Sequence, residues 1–187
     1  MFSNIRTDFC RYHSNPSAGF SSRLRLVVDT FGLQALLVYR FGRQLLRLRE
    51  QPLGILAVIC LYPVYWLLAC YIRAAYGIQL ELSADIGPGL YIGHFGGIHV
   101  AHCRIGSHCS LQQRVRIGTD DASIPGPVIG SRVWIGAHAR LSGSIQIGDR
   151  VTVGAGAVVS QDIPSGCLVM GNPGRITQRD YDNSGFI

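Results

Sequence analysis

Between Leu80 and Val159 an aliphatic residue returns every six positions, and glycine usually follows it directly. Neither an α-helix of period 3.6 nor a long strand of period two produces this repeat. A coil of short strands does, with one aliphatic side chain per strand stacked inward and glycine permitting the corners. The positions in register are Leu80, Ile86, Ile92 and Ile98, then Ile105, Leu111 and Ile117, then Ile129, Ile135, Leu141, Ile147, Val153 and Val159. The repeat predicts a mainly β chain, a parallel β-helix in which three hexads form one triangular turn.

The 187-residue chain contains seventeen arginines and no lysine, and its formal net charge is +6. They are scattered through the chain without interleaved aromatic residues, so no nucleic-acid partner is expected. Arg40, Arg43, Arg47 and Arg49 form one local cluster beside a very apolar stretch. That cluster indicates either contact with anionic lipid or a solvated helix face.

Six cysteines occur without a CxxC pair, and no secretory signal peptide begins the chain. This usage predicts reduced, buried thiols in a cytoplasmic protein. A mixed set lies around one seven-residue step of the repeat: His99, His102, Cys103, His108 and Cys109. Zinc ligands must converge tetrahedrally, whereas successive residues around a coil diverge, so we expect no metal.

The first eighty residues have helical rather than hexad spacing. Residues 24–48 repeat apolar positions with helical periodicity, and Pro52 ends that element. Residues 53–72 contain no charge and are long enough to cross a bilayer. Pro63 and several tyrosines argue against a span, while Trp66 and the arginines suit an interfacial helix. Burial against the β-helix or another subunit is the third alternative, and the sequence leaves the choice open.

These patterns divide the chain into three parts. Residues 1–78 are predicted to be a helical N-terminal region, for which membrane association is one of the alternatives above. Residues 79–165 form the β-helix, and residues 166–187 form a C-terminal tail.

His94 is the leading candidate for chemistry. It stands two places after the inward Ile92, hence on an outer face, among Gly93, Gly96 and Gly97. Those glycines allow a ligand to approach the backbone closely. A neutral imidazole there can accept a hydroxyl proton near neutral pH, although a surface histidine in a glycine turn is the plainer alternative.

The hexads, followed by Gly-Asn-Pro-Gly-Arg-Ile at 171–176, resemble the hexapeptide-repeat acyltransferases. Upstream, Ile-Arg-Thr-Asp at 5–8, Asn-Pro at 15–16 and the segment 31–40 are similar to the helical region of the serine acetyltransferase branch. The resemblance implies a left-handed coil, a homotrimer and acetyl-CoA as donor. It also implies that His94 is the general base, which deprotonates an acceptor hydroxyl for direct attack on the thioester.

The same resemblance assigns coenzyme A contacts to Gly118, Ala137 and Ala155, where small residues leave room for an extended pantetheine arm. Arg175 matches the arginine of the family's C-terminal motif, and a guanidinium suits the cofactor phosphates. A solvated arginine is the alternative there.

Three departures from serine acetyltransferases concern the acceptor. Pro125 and Gly126 stand where the family has an arginine and a histidine, and Gly93 replaces the aspartate that grips the serine amine. The aspartate that orients the imidazole falls at Gln79. Free serine is therefore expected to lack both of its charge partners.

Gly-His-Phe-Gly-Gly-Ile, with the later Gly-Pro-Val-Ile-Gly, instead resembles acetyltransferases of exopolysaccharide assembly, including the colanic-acid type. This implies a sugar hydroxyl as acceptor, on a glycan carried by a lipid at the inner membrane. Tyr91, Phe95, Gln113 and Asp120 are the expected substrate contacts. The protein would then be cytoplasmic or peripheral at that membrane. Serine O-acetyltransferase and a non-catalytic trimeric assembly subunit are the alternative functions.

The residue that orients His94 is the last open choice. Gln79 can hold the ring by a hydrogen bond without charge, whereas Glu81, on the same strand face, can stabilise an imidazolium. Asp85 is a third alternative, and Glu81 is favoured.

Overall fold

A computed structural model of the chain describes residues 2–12, 20–51, 54–119, 123 and 125–187. Helices come first along the chain, and short strands follow. The helices are α1 (Phe2–Tyr12), α2 (Phe20–Asp29), α3 (Phe31–Arg49) and α4 (Gly54–Tyr76).

The strands are mostly two residues long, as a hexad repeat requires. They are β1 (Ile78–Leu80), β2 (Asp85–Ile86), β3 (Tyr91–Ile92), β4 (Ile98–Val100), β5 (Arg104–Ile105), β6 (Ser110–Leu111), β7 (Arg116–Ile117), β8 (Val128–Ile129), β9 (Trp134–Ile135), β10 (Arg140–Leu141), β11 (Gln146–Ile147), β12 (Thr152–Val153), β13 (Val158–Val159), β14 (Leu168–Met170) and β15 (Arg175–Gln178). A short 3-10 helix, Ser184–Phe186, closes the chain.

Every third strand joins the same sheet, which makes the coil a three-sided prism. Sheet A has the order β1-β4-β7-β10-β13, sheet B the order β2-β5-β8-β11, and sheet C the order β3-β6-β9-β12-β14-β15. The pairs are parallel except β14 with β15. The aliphatic residues in register fill the interior, as Ile92, Leu111 and Ile135 show with at most 1% exposure. The predicted parallel β-helix is confirmed, and its left hand stays a prediction.

The helical region differs in detail from the prediction. The expected single helix over residues 24–48 is two helices, because α2 ends at Asp29 and α3 begins at Phe31. Thr30 between them has an extended backbone, with φ −120° and ψ 96°. Pro52, expected to end the helix, lies outside the described residues, and α3 has Glu50 as its C-cap.

A buried ion pair fastens the helices to the first coil of the prism. The Arg40 guanidinium on α3 lies 3.0 Å from the Asp8 carboxylate on α1, and both side chains are buried. Arg40 also donates to the carbonyl oxygens of Ile86 and Gly87, and Asp8 accepts from the Gly89 N–H. The polar groups in this contact therefore satisfy one another.

Helix α4 runs antiparallel to α3 and is almost entirely exposed. Its most apolar 18-residue window has mean hydropathy 2.2 and is 6% buried. One stripe of it packs on α3, where the Tyr65 ring meets Gly42 and the Tyr76 hydroxyl donates to Gln34. We call α3 and α4 together the helical hairpin.

The predicted C-terminal tail is partly a continuation of the prism. Strand β14 pairs in parallel with β12, and β15 folds back on β14. Sheet C therefore extends beyond the residue 165 boundary that the repeat indicates.

Candidate active site

His94 lies at the edge of the prism where the chain passes from sheet C into sheet A. Strand β3 ends at Ile92, and β4 begins at Ile98. Between them Gly96 and Gly97 both have positive φ, +100° and +66°, which side chains other than glycine rarely adopt. The His94 side chain is exposed, and no hydrogen bond joins it to another residue in the part of the chain that the structure describes.

The turn that carries His94 is fastened to the junction between α4 and β1. The Gly96 N–H donates to the Tyr76 carbonyl at 2.8 Å, and the Ile98 N–H donates to the Gly77 carbonyl at 3.0 Å. A Cβ on Gly77 would lie 3.0 Å from the Gly97 nitrogen, so glycine permits this close approach. The backbone around His94 is therefore held in place although its ring is free of described partners.

Strand register places a column of residues below His94 on the same edge. Ile92, Leu111, Ile135, Val153 and Val169 are successive partners in sheet C. The residues two places after them are His94, Gln113, Ala137, Ala155 and Gly171. Neighbouring strands are about 4.8 Å apart, so this column, which we call the His94 edge, is roughly 19 Å long.

The His94 edge contains two of the predicted coenzyme A positions, Ala137 and Ala155. Gly156 beside them would meet nothing within 4 Å if it carried a Cβ, so the edge is open to a flat, extended ligand. Arg175 is exposed and begins β15, four residues after Gly171 at the far end of the edge. Gly118 is elsewhere: it follows β7, at the other side of sheet A.

The predicted substrate contacts do not form one cluster. Tyr91 packs against Tyr12 with ring centroids 4.9 Å apart and lies beneath Arg11, so α1 covers it. Phe95 is 61% exposed and meets Phe31 edge to face. Gln113 is on the His94 edge, and Asp120 lies outside the described residues.

A cavity of about 490 Å³ opens on the outer face of sheet A. Its lining includes Gly97, which belongs to the same turn as His94. Its polar lining comes from α4, β1, β4 and β7. The lining residues are Arg73, Gly77, Gln79, Glu81, Gly97, Ile98, His99 and Arg116. We call it the sheet A cavity.

Within the sheet A cavity, Glu81 pairs with His99 rather than with His94. His99 Nε2 lies 3.4 Å from Glu81 Oε1, and Gln79 Nε2 donates to the same oxygen at 3.5 Å. The structure thus gives no contact for the predicted role of Glu81 or Gln79 in orienting His94. Asp85, the third alternative, lies beside Arg43 and Arg104 instead.

No pattern in the sequence indicates a role for His99 in acceptor chemistry. Its outward direction was readable, because Ile98 and Val100 on either side are inward. Its neighbours were not, since the pairing of Gln79, His99 and Arg116 depends on which strands stack.

The charges in the sheet A cavity have both signs. Glu81 supplies a carboxylate, and Arg73 and Arg116 supply guanidinium groups. The positions of the family's serine-binding groups are changed, as the sequence indicates, and the sheet A cavity brings together a different set of charges.

Among the described residues, no group of three histidine, cysteine, aspartate or glutamate residues is placed to hold a metal ion. Burial raises the pKa of the Cys103 thiol to about 12 and that of Cys109 to about 11. Both thiols are therefore protonated at neutral pH.

Comparisons with known proteins agree with this architecture. Residues 126–161 match the family model described as bacterial transferase hexapeptide, six repeats. The serine acetyltransferase of Vibrio cholerae O1 biovar El Tor N16961 superposes with a TM-score of 0.75 at 26% identity, over 97% of this chain and 67% of that one. A serine acetyltransferase in complex with CoA gives 0.72 at 26% identity, over 94% and 68%. The soybean serine acetyltransferase complexed with serine gives 0.72 at 29% identity, over 94% and 68%.

The predictions of a β-helix with hexapeptide repeats and of an acyltransferase are confirmed. No curated protein sequence matches the chain significantly. The structural neighbours support the serine acetyltransferase resemblance, and they do not support the exopolysaccharide branch.

Proposed function

We propose that this acyltransferase moves an acetyl group from acetyl-CoA to the hydroxyl of serine. The observation that carries the proposal is the sheet A cavity, which places one carboxylate and two guanidinium groups beside the His94 turn. Glu81 would pair with the amino acid ammonium, and Arg73 and Arg116 would pair with its carboxylate. The neighbours solved with serine and with CoA support both substrates.

The His94 edge suits the donor. Ala137, Ala155 and Gly156 leave the edge open for the pantetheine arm, and Arg175 near its far end can meet the phosphates. With the phosphates at Arg175 and the arm extended along the edge, the thioester would lie near His94. Gly118 lies off this edge, so we assign it no contact with the arm.

His94 is the proposed general base. Its imidazole would take the hydroxyl proton while the oxygen attacks the thioester carbonyl carbon. A carbon–oxygen bond forms, the carbon–sulfur bond breaks, and the CoA thiolate leaves and is protonated. Such proton transfer contributes about 10²–10⁴-fold to an enzymatic rate.

His99 is the competing base, since it lines the sheet A cavity and has a carboxylate partner in Glu81. Glu81 Oε1, 3.4 Å from His99 Nε2, can hold that ring in a fixed orientation. The two histidines lie at the turn and on the following strand, so separate substitutions distinguish them.

A sugar hydroxyl is the second candidate acceptor. Gly93, Pro125 and Gly126 replace the serine-binding groups of the family, and a neutral sugar does not need those charges. Gln79, Glu81 and His99 can equally make hydrogen bonds to sugar hydroxyls.

The decisive experiment follows CoA thiol release from acetyl-CoA with purified protein. We expect L-serine to stimulate release with saturation, and His94→Ala to lower the stimulated rate about 100-fold or more. His99→Ala is the matched variant, expected to raise the serine KM while retaining most of kcat.

Each alternative predicts a different result in the thiol-release assay or in a binding measurement. Loss of kcat in His99→Ala with activity kept in His94→Ala would transfer the base role to His99. Stimulation by a glycan and none by serine would select the sugar acceptor. Absence of acetyl-CoA binding by calorimetry would leave the non-catalytic assembly subunit.

A further inference from the structure

Helix α4 has a large exposed apolar surface that no other described element covers. The side chains concerned are Ile55, Leu56, Ile59, Leu61, Tyr62, Val64, Trp66, Leu67, Leu68 and Tyr71, each at least 39% exposed. Soluble monomers rarely show a contiguous apolar patch of that extent, and such patches mark contact with a partner or a membrane.

The helical hairpin cannot place α4 across a bilayer. Contacts run along its whole length, from Gly54 beside Leu48 to Tyr76 beside Phe31, so a spanning α4 would carry α3 with it. Arg40 in the middle of α3 is paired with Asp8 and bonded to the first coil. A span would therefore pull a buried ion pair and part of the prism into hydrocarbon, at a prohibitive cost.

The charges around α4 distinguish the two remaining partners for its exposed surface, a second copy of the chain and a membrane surface. Arg47 and Arg49 are exposed at one end of the helical hairpin, and Arg73 is exposed at the other. Glu50 and Glu81 flank α4, and residues 51–80 between them contain no aspartate or glutamate, so Arg47, Arg49 and Arg73 outnumber the nearby carboxylates. If a second copy covered α4, parallel or antiparallel pairing would bring arginines against arginines. An anionic surface complements both ends.

The exposed side chains of α4 include three amphipathic aromatic rings. Tyr62, Trp66 and Tyr71 are each about half exposed, among aliphatic residues. Amphipathic rings of this kind favour the headgroup level, with arginines reaching the phosphates.

We propose that α4 lies in the plane of an anionic membrane, with its face opposite α3 embedded at the headgroup boundary. This goes beyond the proposed reaction and does not depend on which acceptor is used. Arg73 also lines the sheet A cavity, so membrane docking would hold that cavity close to the lipid surface. A peripheral location agrees with the expectation from the sequence.

Vesicle flotation of the full chain tests the proposal. We expect the protein to float with phosphatidylglycerol–phosphatidylcholine vesicles and at least 10-fold less with phosphatidylcholine alone, and high salt should weaken the first. The double variant L56E/L67E, at positions 71% and 61% exposed, should lose flotation at least 10-fold. Val28→Glu, on α2 at a position 67% exposed, is the matched control and should float normally.

Depth-dependent quenching by brominated lipids gives an independent reading on a Trp134→Phe background, which leaves Trp66 as the only tryptophan. Trp66 lies near the middle of α4, so an in-plane helix keeps it shallow and a span would place it at the bilayer centre. Quenching strongest at the centre would overturn the proposal. So would unchanged flotation of L56E/L67E, or no flotation of the wild-type protein. A fall in the oligomer mass of L56E/L67E without any vesicle binding by wild type would assign the face to a second copy.

Discussion

At the scale of residues, the two imidazoles near the sheet A cavity differ in what surrounds them. His94 is exposed on a glycine turn, whereas His99 is half-buried on a strand with a carboxylate at 3.4 Å. The first arrangement leaves the ring free to meet a substrate that brings its own partner groups. The second fixes the ring and suits recognition of an acceptor.

Arg116 provides a residue-scale test of acceptor recognition. If it binds the serine carboxylate, Arg116→Gln should raise the serine KM about 10-fold or more, because a charge-assisted hydrogen bond contributes about 1.5–3 kcal/mol. The acetyl-CoA KM should not change. Steady-state kinetics with each substrate varied in turn makes the measurement.

Arg140 is the matched control for that variant. It is the strand partner of Arg116 on the same face of sheet A, but it does not line the cavity. Equal effects of Arg116→Gln and Arg140→Gln would indicate a general electrostatic effect and would contradict specific binding.

At the scale of elements, the attachment of α1 depends on the buried Asp8–Arg40 pair. Breaking such a pair leaves an uncompensated buried charge, which costs about 3–5 kcal/mol. Asp8 also accepts the Gly89 N–H at 2.6 Å, so its removal frees a second polar group.

We therefore expect Asp8→Ala to lower the free energy of unfolding by about 3–5 kcal/mol, measured by urea denaturation. Asp29→Ala is the control, because Asp29 pairs with Arg25 at 62% and 84% side-chain exposure. An exposed pair of this kind contributes under about 1 kcal/mol. Similar losses in the two variants would show that the buried pair does not fasten α1.

The elements of the prism were predictable because one local rule repeats through it. Each hexad places an aliphatic residue inward, so Ile92 and Leu111 could be assigned without knowing the fold around them. The break at Thr30 and the neighbours of Glu81 were not predictable in that way. The break depends on side-chain contacts between α2 and α3, such as Gln34 donating to the Val27 carbonyl, and the neighbours of Glu81 depend on the pairing of β1 with β4.

At the scale of the whole molecule, the His94 edge is open to solvent in a single chain. A thioester held there would have a protein wall on one side only. The homotrimer implied by the resemblance remains a proposal, and it would supply the opposite wall from a neighbouring subunit. Exclusion of water would then follow from assembly.

Sedimentation equilibrium tests that assembly. Three copies of the 20.4 kDa chain give a mass of about 61 kDa, and we expect this species in mild detergent, which occupies the exposed face of α4. A mass near 20 kDa together with full activity would show that one chain is sufficient for catalysis.

Both ends of the prism are covered by elements that do not continue the parallel coil. Helix α3 covers the first coil, where Gly32 approaches the Ile92 carbonyl, and β15 runs antiparallel to β14 at the last. Neither terminus offers an unprotected row of parallel backbone groups on which a second molecule could continue the winding. Among the described residues, growth into a filament by continued winding of the coil is thereby blocked.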